Sequence, residues 1–207
     1  MQTSNNQLVD EPLSHYRAIY QGLDPREIAE RCNVAFDGSA FTLRMLGTEY
    51  RVSHPSFTPL DPDQNDTTSP YEKILFLRYL CEGTFAPSQG RQLSYNEFPS
   101  GSLYFRNFEG RCLKRCAFTF GTDLPGFVAM IQQNPHLAAV PLGIGDVAYR
   151  IDFLNGLCVS VILWQADEEF PPSAQLLFDD NFASAFTAED LAAVGDIFIG
   201  RLKKLKG

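Results

Sequence analysis

The stretch Val147-Ala148-Tyr149-Arg150-Ile151-Asp152-Phe153-Leu154-Asn155-Gly156-Leu157-Cys158-Val159-Ser160-Val161-Ile162-Leu163-Trp164 decides the fold class. Asn-Gly between two β-rich runs is the strongest short signal for a two-residue hairpin turn. Val147, Tyr149, Ile151 and Phe153 alternate with Ala148, Arg150 and Asp152, the period of a strand. A two-residue turn at Asn155-Gly156 sets Phe153 opposite Cys158, Ile151 opposite Ser160, Tyr149 opposite Ile162 and Val147 opposite Trp164. Opposed residues share a face, so Tyr149, Ile151, Phe153, Ile162 and Trp164 are expected on the core side. Val159, Val161 and Leu163 fall on the other face beside Arg150 and Asp152. A strand apolar on both faces is a central strand with cover on each side. Arg150 and Asp152 share that mixed face and could form an ion pair under a covering segment.

Working outward, residues 174–178 form a further strand. Thr187 then opens a last helix, with Asp190 as the third residue of a capping box. Its apolar stripe is Leu191, Val194, Ile197, Phe198, Leu202 and Leu205. Upstream, the spacing predicts a helix over 10–20, a second after the Asp24 cap with Pro25 at its first position, and a capped helix over 70–81. Residues 34–36, 41–46 and 49–53 read as three short strands joined by Asp37-Gly38 and Gly47-Thr48. Residues 55–70 hold four prolines and read as a long loop, with a lid as its functional reading. Residues 93–98 alternate, 102–120 are aromatic-rich and helical, and 123–133 form a short helix. The sum is one α+β domain over residues 1–207, a mostly antiparallel sheet of about six strands packed by helices.

Composition narrows the function classes. The chain has 207 residues, 44% of them apolar, and 17 Lys or Arg against 25 Asp or Glu, a formal charge of −8. Phosphate backbones repel such a protein, so nucleic acid is not an expected partner. No stretch approaches the roughly 20 apolar residues of a membrane span, so no membrane is expected either. Five cysteines without framework spacing point to free thiols in a reducing cytoplasm.

Leu142-Gly143-Ile144-Gly145-Asp146, Trp164-Gln165-Ala166-Asp167-Glu168-Glu169-Phe170-Pro171, Leu176-Leu177-Phe178-Asp179 and Thr187-Ala188-Glu189-Asp190-Leu191 together resemble the domain-of-unknown-function family numbered 3786. The resemblance extends to residues 71–80 and 98–104, and its most specific part is the tryptophan-acidic-phenylalanine-proline stretch. That family occurs in anaerobic bacteria and archaea and carries no established activity, so no catalytic residue is implied. Some of its members bear an iron–sulfur segment of closely spaced cysteines, which hints at anaerobic one-carbon or redox metabolism. The cysteines here, at 32, 81, 112, 116 and 158, do not form such a run. At Leu154-Asn155-Gly156-Leu157 the chain departs from the family, where proline-containing connections are expected.

Three sets of residues carry the candidate chemistry. Cys112 and Cys116 lie four apart among Arg111, Lys114 and Arg115, and basic neighbours lower a thiol pKa. The bland alternative is two core thiols. Asp167, Glu168 and Glu169 follow Trp164 at a strand end, and the register brings Asp146 beside Gln165, within reach of them. Grouped carboxylates serve as acid and base or bind a cation; otherwise they form a solvated turn that caps its own amides. His15, His54 and His136 are scattered and make no metal motif. The ligand-binding candidates are therefore Asp146, Arg150, Trp164, Asp167, Glu168 and Glu169, with no metal ligand and no cofactor named. The expected function is a small-ligand- or partner-binding accessory protein in anaerobic metabolism. A carboxylate enzyme centred on Asp146 and residues 167–169, and a thiol-dependent redox or metal protein, are its rivals.

Overall fold

The computed structural model describes the backbone of residues 3–206 and the side chains of residues 9–206. Helix α1 (Thr3–Gly22) and α2 (Pro25–Cys32) lead into strands β1 (Ala40–Met45), β2 (Thr48–Ser53) and β3 (Pro59–Leu60). Then come α3 (Pro70–Glu82), β4 (Gln92–Ser94), α4 (Gly101–Phe108), α5 (Leu124–Gln133) and β5 (Val140–Pro141). The hairpin β6 (Val147–Leu154) and β7 (Leu157–Trp164), β8 (Ser173–Asp179), α6 (Phe182–Ala185) and α7 (Ala188–Lys206) complete it. Asp24 caps α2, and Ser69 with Glu72 forms a full capping box at α3, as their sequence positions require.

One antiparallel sheet runs β3-β2-β1-β6-β7-β8-β4, with β5 on the free part of β6. The eight strands exceed the six expected because β3, β4 and β5 are two- or three-residue pieces too short to show periodicity. Residues 34–36 are the converse: they contribute a single bridge, Phe36 to Phe41, and not a strand. The 55–70 loop holds β3 and is tied down. Phe57 is buried beside Tyr20 at 5.5 Å between ring centroids, and Asp66 pairs with Lys73 at 2.7 Å.

Helices cover one face of the sheet. Phe41, Leu43, Met45, Tyr50 and Val52 on β1 and β2 continue into Ile151, Val159, Val161, Leu163, Leu176 and Phe178, all buried. Against them pack Phe76 of α3, 5.5 Å from Tyr50, and Phe108 of α4, 6.1 Å from Phe178. Each such side chain contributes about 1.5–3 kcal/mol by leaving water, so this layer specifies the fold.

The hairpin turn is as expected: Asn155 and Gly156 sit at φ 46° and 87°, the positive values a type I′ turn demands. The register is not. Val147 faces Leu163, Tyr149 faces Val161 and Ile151 faces Val159, one residue away from the expected pairing. A bulge at Phe153 is the cause. Its carbonyl accepts the Leu46 amide at 3.0 Å, while Asn155 bonds Arg44 of β1 through both its amide and its side chain. The tip of the hairpin thus serves β1 as well as β7, and one residue is taken out of the β6–β7 ladder to allow it. In consequence Val159, Val161 and Leu163 form the core face. Ile162 and Trp164 lie on the face away from the helices, and Trp164 is exposed.

Candidate functional site

The end of β7 is where the sequence places its candidate acids, and Asp146 reaches that strand end at Gln165. The Asp146 amide donates to the Leu163 carbonyl at 3.0 Å, and its carboxylate accepts the Gln165 amide at 2.8 Å. Despite the shifted register, Asp146 meets Gln165, because its side chain reaches one residue past its strand partner. Asp167 then closes a tight turn. Its Oδ1 accepts the amides of Glu169 at 2.9 Å and Phe170 at 2.7 Å, and its own amide donates to the Phe170 carbonyl at 3.0 Å. This is an Asx turn, built because an aspartate oxygen can reach amides two and three residues on. Glu168 and Glu169 are exposed. Among the described residues, Asp146, Asp167, Glu168 and Glu169 make no ion pair, whereas Glu72, Asp179, Asp190 and Asp196 are each held by arginine.

Trp164 stands at the same strand end, paired with Ser173, on the sheet face away from the helices. Arg150 does not belong with this group. It sits opposite Ser160 in mid-strand, and its guanidinium binds Asp179 of β8 by both Nε, at 3.2 Å, and Nη2. Arg150 thus pairs with Asp179 and not with Asp152. Asp152 instead accepts the Gly156 amide at 3.0 Å, and burial raises its carboxyl pKa. The side chain of Asp179 is 3% exposed, so a partner bonded by two nitrogens is what makes its charge tolerable there.

The thiol set resolves into core residues. Cys112 and Cys116 are fully buried, and burial pushes each up to about 12. Their basic neighbours Arg111 and Arg115 are both engaged by Asp196. A thiol so raised is almost wholly protonated at neutral pH and a poor nucleophile. His54 likewise serves structure, its Nε2 3.2 Å from the Tyr20 carbonyl oxygen. Among the described residues no group of three or more His, Cys, Asp or Glu side chains is placed to hold a metal ion.

One feature of the strand end escaped the sequence. The expected helix over 102–120 is α4 followed by two π-helical segments, Glu109–Lys114 and Ala117–Gly121. Together with the residues after the acidic turn they enclose a cleft of about 380 Å³, walled by Leu113, Ala117, Phe118, Pro171, Pro172 and Ala174. Gly121 permits the close approach, since a Cβ there would lie 3.1 Å from Pro172 Cβ. Phe118 is 63% and Phe170 65% exposed, at either side of this cleft. The signal in the sequence is Phe118 soon after Arg111, Lys114 and Arg115, together with Phe170-Pro171-Pro172. A hollow of about 440 Å³ elsewhere, around Arg78, Phe98 and Tyr104, has its arginine held by Asp190 at 3.0 Å and stacked over Tyr16.

No helix among the described residues is long and apolar enough to cross a membrane. No curated protein and no solved structure matches the chain significantly. Residues 24–201 match the family described as Domain of unknown function (DUF3786), so the resemblance carried by the Trp164–Pro171 stretch and its companions stands, and the chain belongs to that family.

Proposed function

We propose that the chain is a non-catalytic binding protein, a cytoplasmic accessory in the anaerobic metabolism its family resemblance implies, and that it binds a cationic partner at the end of β7. One observation carries this reading. A tight turn held by Asp167 carries Glu168 and Glu169, Asp146 bonds the Gln165 amide just before it, and none of these acids makes an ion pair among the described residues, in a protein of net charge −8. Like charges so grouped repel one another, and their exposure lets water screen the cost. Glu72, Asp179 and Asp190, the buried carboxylates of the fold, are held by arginine, whereas Asp146, Asp167, Glu168 and Glu169 are exposed and make no ion pair among the described residues. The enzymatic reading of the same acids has less support, because none of them lines the clefts around Phe118 or Arg78. The thiol reading is disfavoured by the burial that raises Cys112 and Cys116.

Thermal or urea unfolding of Asp146→Asn and Glu168→Gln tests the assignment. Both variants are expected within about 0.5 kcal/mol of the parent, or slightly more stable, as exposed charge removals are. Asparagine retains the oxygen that accepts the Gln165 amide. Losses above about 2 kcal/mol in both would mark the acids as structural supports and remove the reading.

A further inference from the structure

The apolar cleft next to the acidic turn indicates what kind of cationic partner fits, an inference that rests on the reading of the acids given above. None of the six residues singled out in the sequence lines this cleft. Its floor comes from the two π-helical segments and its far wall from the prolines that follow the acids. A π-helical turn is rare and recurs at functional sites. Here the two segments line a single cleft, and Phe118 is left exposed on the second of them. On the other side the hydrogen bond from the Asp167 amide to the Phe170 carbonyl folds the acids back against Phe170, also exposed. Glu109 and Lys114 at the rim lie 3.7 Å apart and offset each other. The uncompensated charge beside the cleft is therefore negative.

We infer that this cleft is the anchor of a docking surface for a segment of another protein carrying an aromatic or branched aliphatic side chain within a few residues of two or more lysines or arginines. The apolar side chain would fill the space between Phe118 and Pro171, and the basic ones would face Glu168 and Glu169. Such anchors in pockets supply most of the affinity of an interface, while flanking charges set partner choice and association rate. The same charges argue against two other occupants. A second copy docking through this same face would bring its own acids against these, and a membrane of anionic lipid would be repelled.

Selection of a random-peptide display library on the immobilised full chain tests this, followed by affinity measurements with the leading synthetic peptide. The expected consensus is a bulky apolar residue flanked by lysine or arginine. Its affinity is expected to fall about tenfold or more in Phe118→Ser and again in Glu168→Lys/Glu169→Lys. Both variants change exposed side chains and should retain the parent's unfolding temperature. Weakening by the charge reversal alone would overturn the cleft as anchor while leaving the reading of the acids intact. A consensus without basic residues, binding indifferent to both variants, or no enrichment at all would overturn the inference. Self-association that Phe118→Ser abolishes would make the occupant a second copy and overturn it too.

Discussion

Replacing Arg150 by methionine is expected to destabilise the protein by about 3–5 kcal/mol, the cost of leaving a buried carboxylate without its partner. The residue that suffers is Asp179. Its side chain is 3% exposed, and both of its oxygens are bonded by the one guanidinium. Methionine keeps much of the aliphatic stem of arginine and removes only the charge and the donors. The pair links the two strands that flank β7, so the loss falls on the centre of the sheet. The double variant Arg150→Met/Asp179→Leu should recover most of the stability, because an apolar pair of similar size replaces a buried ion pair at little net cost. Urea unfolding of the parent, both single variants and the double variant measures the coupling. A cost below about 1 kcal/mol for Arg150→Met would show that Asp179 reaches water, and would return Arg150 to the list of residues available to a ligand.

Alkaline pH should have an effect of similar size. Burial pushes Cys112, Cys116 and Cys158 from 9.0 up to about 12, and Cys32 and Cys81 up to about 11. Between these limits the unfolded chain releases thiol protons that the folded chain retains. A group whose folded pKa is raised contributes stability that is whole below the unfolded pKa and lost as pH climbs toward the folded one. Each such thiol removes about 1.4 kcal/mol per pH unit once its unfolded form is ionised. At about pH 10 the three most raised thiols together subtract about 4 kcal/mol, a large part of an ordinary domain's roughly 5–15 kcal/mol. Burial raises the hydroxyls of Tyr20, Tyr79 and Tyr95 as well, in the same direction. Urea unfolding under reducing conditions at about pH 7 and about pH 10 reads the difference. A change under about 1 kcal/mol would mean that the thiols are reached by solvent in the folded state, and the reactive-thiol reading would regain ground.

How far the sequence announces all this depends on which interactions set each element. Helix starts were legible, because Asp24, Ser69 and Thr187 cap through contacts two or three residues away. The Asn155-Gly156 turn was legible for the same reason. The register of its strands was not, since the Phe153 bulge answers to Leu46 and Arg44, more than a hundred residues earlier. That one shift exchanged the faces of β7, putting Val161 and Leu163 in the core and Trp164 at the surface. Strands of two or three residues, such as Pro59–Leu60 and Val140–Pro141, exist only through their partners and leave no periodic trace. The meeting of Asp146 with Gln165 was anticipated, because a side chain spans a one-residue error. The partner of Arg150 was missed: Asp179 lies two strands away, and only the packed sheet brings it near. The cleft was missed because an α-helical reading of residues 102–120 does not reveal where the helix widens into π turns.

A nuclear magnetic resonance titration shows whether the acidic strand end binds a basic segment. The ¹⁵N-labelled full chain would be titrated with an acetylated Lys-Lys-Phe-Lys amide, and separately with its phenylalanine-free counterpart. Amide shifts are expected to concentrate in residues 164–174 and 113–121 with the first peptide, weakening as salt is raised. Shifts confined to residues 165–170 are expected with the second. Shifts spread over the surface or centred elsewhere, or none in residues 165–170 with either peptide, would contradict that binding.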